Sequence, residues 1–304
     1  MKIMIRSMYS GVAGMRSNQT KMDVIGNNIA NVNTNAFKAN RVRFQDSLYQ
    51  TQVYAEAPMA GGRGGTNPQQ IGQGVTVAAI DTLFGNGPLQ PTGRDLDFGI
   101  DGEGFFIVSP DENGDVRRFT RDGVFYKDTE SYLVNAEGYY LLGVSNFDLN
   151  DPDMPLQTTP PDIQADGSNL GRLRIPDTIT DAAGDVHRLE TFYIDGSGLI
   201  SAVYSNGQVY YPGRVALAKF PNVGGLEKLG GNNYGVTRNS GNPEYGSADQ
   251  GGLGILRQGN LEMSNVDLAH EFTEMIITSR AYQANSRIIT TSDEMLQELI
   301  NLKR

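Results

Sequence analysis

The last forty or so residues constrain the fold most, because they hold the longest regular apolar pattern in the chain and the one least broken by glycine or proline. Leu268, Met275, Tyr282, Ile289 and Leu296 recur every seven residues, a spacing that keeps one face of a helix apolar through five heptads. Ile276, Ala281, Ile288, Met295 and Leu302 widen the stripe. One long helix is therefore expected from Ser264 to Arg304. Ser264-Asn265-Val266-Asp267 offers a start, where a Ser or Asn oxygen can accept from unpaired backbone N–H groups and acids suit the positive end of the dipole. Lys303-Arg304 puts the favoured sign at the other end.

The opposite terminus repeats this logic. Met8, Met15, Met22 and Ile29 fall seven apart, with Ile5, Val12, Ile25 and Val32 beside them, which predicts a second helix over residues 4 to 33. Gly11, Gly14 and Gly26 each weaken it by about 1 kcal/mol relative to alanine. Asn27, Asn28, Asn31, Asn33 and Asn35 give five asparagines in nine residues, a composition that favours caps and turns, so the helix is expected to end there. An apolar helical stripe is more often ordinary core than an assembly surface. Here both stripes sit at the extreme termini, and the region between them has apolar residues of its own. Two such helices pair with one another or with copies of themselves. Gln19, Ser279, Ser286 and Asp293 interrupt the flanking heptad line, which suits a wall of many helices better than an isolated two-stranded coiled coil.

Between the helices, 37 glycines and 13 prolines in 304 residues point to many turns and short strands. Residues 36–93 mix pieces such as Arg41 to Phe44 with the glycine-rich Ala60 to Gly65, and read as an extended connector with little core. From Leu96 to about Gly254, short apolar runs (Phe105 to Val108, Tyr139 to Leu142, Leu189 to Ile194, Val215 to Phe220) alternate with Asp-Gly and Asn-Gly turns at 101, 122, 166, 195 and 206. That is an antiparallel β-domain. Residues 145–170, with Pro152, Pro155, Pro160 and Pro161, form an irregular excursion from it. The expected fold is α+β and multidomain: a coiled-coil-like terminal helical domain (1–35 and 258–304), the connector (36–93) and a β-rich outer domain (94–257).

Composition closes several functional routes. A net charge of −10 removes the attraction on which non-specific phosphate-backbone binding rests, so nucleic acid is not an expected partner. With no cysteine and two histidines, disulfides and Cys-based zinc sites are excluded, and His187 and His270 are too far apart in sequence to argue for a metal pair. No stretch approaches the roughly 20 apolar residues needed to cross a bilayer, and Arg6 breaks the apolar run of Met1 to Tyr9 that a secretory signal would need. Asp111 to Asp115 fails as a calcium loop, since the sixth position is Val116 and the twelfth Asp122. Asp95, Asp97, Asp101 and Glu103 could supply the acid and base of a glycosidase, but Gly99 and Gly102 interrupt the strand that would align them. Gly72-Gln73-Gly74 lacks the rest of a phosphate loop. No cofactor or metal is expected, and no enzymatic activity.

Longer motifs carry a resemblance. Met8 to Met15, Asp23 to Thr34 and Ala36-Phe37-Lys38 resemble the N-terminal signature of bacterial flagellar rod and hook proteins. Gly259 to Asp267, Glu271 to Ile276 and Ser279 to Ser286 are similar to that family's C-terminal motif, and Leu96 to Phe106 and Gly225 to Tyr234 also match. Phe272 to Ile276, Ile289 to Leu299 and Asn301 to Arg304 look closest to a short Gram-positive-type hook protein, while Ser47 to Thr51 also resembles the distal rod version. The resemblance implies a homopolymer forming a hollow helical tube that transmits torque as a flexible joint. Its implied partners are the distal rod protein, the hook cap, a hook–filament junction protein and the flagellar type III export apparatus. It implies an extracellular place in the flagellum, reached without a cleavable signal. Family members commonly begin where Met4 stands, so translation starts at Met1 or Met4. Asn27, Asn28, Asn31 and Asn33 belong to the family motif, and the two heptad seams are the expected assembly surfaces. Outside the family, a secreted β-rich adhesin or carbohydrate-active enzyme with a helical stalk is the alternative.

Overall fold

The computed structural model describes residues 2–58, 64–146, 160–165, 167–180 and 185–302, with the side chains of 2–5 and 299 left aside. Met1, part of the glycine-rich run at 60–65, most of the excursion at 145–170, Asp166 and Lys303-Arg304 lie outside those residues. The described chain is mostly β, with one α-helix near each end: α1 (Lys2–Ala30) and α2 (Leu268–Asn301). Contacts divide it into two compact units.

The first unit holds both helices (residues 1–32 and 266–304) and residues 39–83. The latter form four strands, β1 (Asn40–Asp46), β2 (Tyr49–Val53), β3 (Gln69–Gly72) and β4 (Val75–Thr82). β1 pairs with β4 and β2 with β3, both antiparallel. Residues 39–83, read from sequence as connector, are thus paired strands that cluster with the helices, while 84–93 and 258–265 cluster with the β body. α2 begins at Asp267, whose carboxylate accepts from the N–H groups of Ala269 (2.9 Å) and His270 (3.3 Å). The acid fills the cap expected of Ser264 or Asn265, because it stands two and three residues before the unpaired donors. α1 ends where the asparagines cluster: the Asn27 carbonyl accepts from the Asn31 side chain at 2.9 Å as well as from the Asn31 N–H at 3.2 Å.

The second unit (residues 33–38 and 84–265) is the β body. Its largest sheet is antiparallel, and the long strand Val209–Lys219 pairs along its length with Leu199–Tyr204, Tyr140–Ser145, Phe105–Ser109 and Glu244–Ser247. Side chains alternate across a strand, yet Phe105 through Ser109 are all buried, so this strand is covered on both faces. Phe106 and Val108 join a core with Phe98, Phe125, Leu141 and Leu217. Phe105 and Ile107 join a second, with Phe119, Leu142, Phe220 and Tyr234, where the rings meet edge to face.

Three segments that carry the chain into or out of this body are tied together inside it. The Lys38 ammonium donates to Glu262 Oε1 at 2.7 Å and to the Gly85 carbonyl at 2.9 Å, with both charged side chains fully buried. Glu262 Oε1 also accepts from the Gly87 N–H at 2.9 Å, and Oε2 faces the Arg121 guanidinium at 3.3 Å. Backbone bonds run alongside, from Ala36 N–H to the Glu262 carbonyl (2.8 Å) and from Met263 N–H to the Pro88 carbonyl (2.9 Å).

Candidate assembly surface

The two helices run antiparallel. Ser7 meets Ser292 (3.4 Å between hydroxyls), Lys21 pairs with Glu274 (2.5 Å) and Asn28 donates to Glu271 (3.0 Å), so positions rise on α1 as they fall on α2. Between them, Gly11 and Gly14 sit where a Cβ would lie 3.3 Å from Ile289 and 2.7 Å from the Asn285 amide. Gly11 and Gly14, two of the glycines that weaken α1 as a helix, thus leave room for Ile289 and Asn285 of α2.

The fully buried positions of the two helices are mostly small or polar. Among the described side chains, those buried on α1 are Gly11, Gly14, Ser17, Ile25 and Asn28, and on α2 Thr278 and Ser292. Ile25 is the one bulky apolar side chain among them. Each polar group has a partner: Thr278 and Ser292 donate to the carbonyls of Glu274 and Ile288 one turn back, both at 2.7 Å, and Ser17 donates to the Val75 carbonyl. Asn28 donates to the Asn40 carbonyl and accepts from the Asn40 N–H, closing a two-bond ring with β1. A cleft of 240 Å³ opens beside the Lys21–Glu274 pair, lined by Val24, Ile25 and Leu83 and edged by Arg41, His270 and Glu271. The hydrogen bond from Lys21 holds the Glu274 carboxyl below its usual range.

Of the seam residues, Ile289 lies in this contact, facing Gly11. Met8, Met15, Met22 and Ile29 are half-buried on α1, and Met275, Ile289 and Leu296 on α2, while Leu268 and Tyr282 are exposed. Beyond them, Phe272 (49 % exposed), Ile276 (63 %), Ile277 (55 %), Ile288, Met295 and Ile300 (61 %) stand in solvent. Asn28 is buried, Asn31 half-buried, and Asn27 and Asn33 are exposed. Asn28 reaches across to Glu271 on the other helix.

The acidic cluster does not converge. Asp97 is buried against Thr92 and Arg94, Asp101 pairs with Arg257, and Glu103 with Lys219. Among the described residues no group of three or more His, Cys, Asp or Glu could hold a metal ion. The sequence reading missed the Lys38–Glu262–Arg121 cluster. Its available signal was a lone acid in the apolar stretch Leu261-Glu262-Met263.

Comparison with known proteins adds the family. Residues 8–38 match the family described as "Flagella basal body rod protein", 99–202 match "Flagellar hook protein FlgE/F/G D1 domain" and 257–302 match "Flagellar basal body rod FlgEFG protein C-terminal". The chain is 44 % identical to the flagellar basal-body rod protein FlgG of Bacillus subtilis, over 99 % of this chain and all of that one. It is 31 % identical to the flagellar hook protein FlgE of Borreliella burgdorferi and 30 % to that of Treponema pallidum, each over 99 % of this chain and all of the relative.

Proposed function

The chain belongs to the flagellar rod and hook protein family, as a structural protein of the flagellum and not an enzyme, and from that premise we propose that its terminal helices bind copies of itself to build the axial tube. The observation that carries this reading is the exposure of large apolar side chains on α2, above all Phe272 and Ile276, one turn apart and 49 % and 63 % exposed. A second copy is the occupant that a polymeric axis supplies. In the tube, the seams Met8, Met15, Met22 and Ile29 and Leu268, Met275, Tyr282, Ile289 and Leu296 would be shared among neighbours in a coiled-coil-like packing.

In its finer form the proposal is a hook subunit, a joint that passes torque from rod to filament as it bends. The motifs from Ile289 to Leu299 and from Asn301 to Arg304 favour it. The distal rod is the second reading, favoured by the 44 % end-to-end identity to a FlgG rod protein. Partners in either case include the neighbouring axial proteins and the export apparatus, and the hook cap and hook–filament junction protein if it is the hook. Imaging of basal bodies from a deletion strain separates the two. Loss of the hook with an intact rod is the expected result, loss of the distal rod transfers the chain to the second reading, and intact motile flagella overturn both.

A further inference from the structure

We propose that the buried Lys38–Glu262–Arg121 cluster is a fold-completion latch, in which two cations from early in the chain lack a counter-charge until Glu262 is inserted, so that the core around them closes last. The inference stands apart from the functional reading. Among the described residues, the ion pair of each cation is with Glu262. The site is desolvated: Lys38 and Glu262 are fully buried, and the Arg121 guanidinium lies 5.4 Å above the ring of Phe105, itself part of the second core. Burial pushes the Lys38 amine down from its ordinary range and the Glu262 charge pulls it back, so the ammonium depends on that carboxylate.

The geometry makes the dependence mutual. Closing Phe105–Ser109 onto Arg118–Thr120 without residues 260–262 would bury two like charges with nothing to compensate them, which costs far more than burying a neutral core. The 262–265 segment in turn needs the other two, because Gly87 sits where a Cβ would lie 2.0 Å from the Met263 carbonyl oxygen, and Ala36 donates to the Glu262 carbonyl. Ala36 holds a left-handed φ of 56°, a conformation that a residue with a Cβ keeps only where its surroundings impose it. The three crossings therefore close together or not at all.

The test is refolding of the full chain from denaturant with pulsed hydrogen exchange read by mass spectrometry. In the unmodified protein, Phe105–Ser109 and Arg118–Thr120 should gain protection in the same phase as Asn260–Glu262. Glu262→Ala should lower the native protection of those strands by about a hundredfold or more. The triple variant Lys38→Met/Arg121→Met/Glu262→Met removes every charge at similar volume. It should recover that protection, and its body strands should become protected ahead of 260–262. Three results would overturn the latch: body strands protected before 260–262 in the unmodified chain, a triple variant that folds in the unmodified order, or one as poorly protected as Glu262→Ala.

Discussion

In the β body, Phe98, Phe106, Phe125 and Leu141 are sealed from water, and the charges buried with them are paired. Along the helix pair the distribution is reversed, with Gly11, Gly14, Thr278 and Ser292 in the contact and Phe272, Ile276 and Ile300 outside it. Hydrophobic burial is the main favourable term in folding, and the body buries its large apolar side chains fully, whereas on the helices the seam residues are half-buried and Phe272 and Ile276 exposed.

The contrast is broken most severely from the body. Phe106→Ala removes a fully buried ring from the main core and should cost about 3–5 kcal/mol, read as a lower urea midpoint by tyrosine fluorescence. A loss below about 1 kcal/mol would show that this core is no better packed than the helix contact. Next in size is Gly14→Leu, because even a Cβ there lies 2.7 Å from the Asn285 amide. Overpacking of this kind costs about 1–3 kcal/mol, and hydrogen exchange should show faster opening of α1 and α2 with Phe105–Ser109 unchanged.

That second variant also marks how far the sequence could be read. Both helices, the asparagine-rich end of α1 and strands such as Phe105–Ser109 were legible, since periodicity and turn residues are local signals. Gly11 and Gly14 read as weak points because a glycine in a helix looks the same whether it is tolerated or required by a neighbour. Residues 39–83 read as connector because strands such as β2 and β3, largely exposed, lack the alternation that a buried face imposes. Lys38 and Glu262 stand 224 residues apart, and no local pattern joins them.

A smaller effect distinguishes the polar contact from the apolar one. Lys21 holds the Glu274 carboxyl below its ordinary 4.5, so the pair's contribution is present above about pH 4.5 and fades as pH falls through the lowered value. His270 also lowers it, and Glu271 and Arg41 line the same cleft, so the control is Glu274→Gln, which should abolish the acid-induced rise in α1 and α2 exchange attributable to this pair. Both partners are partly exposed, and the change should be only a few tenths of a kcal/mol. An identical acid response in the glutamine variant would remove the pair from the contact.

The smallest change in the isolated chain should come from Phe272→Glu/Ile276→Glu, and it bears most directly on the comparison. These side chains are 49 % and 63 % exposed, so replacing them gives up little burial within the chain, and monomer stability should move by no more than about 0.5 kcal/mol. If the outward apolar face exists to be covered by neighbouring copies, two carboxylates placed there would be desolvated in every contact of the polymer, a penalty of several kcal/mol per ion without a partner. Sedimentation under nucleating conditions should therefore give polymer for the unmodified chain and none for the variant, with matching urea curves for the two monomers. Equal polymer yields would mean that α2 does not bind neighbours through this face. A large loss of monomer stability would mean that the face is already covered within the chain, and the reversal of polarity between the two units would then be only apparent.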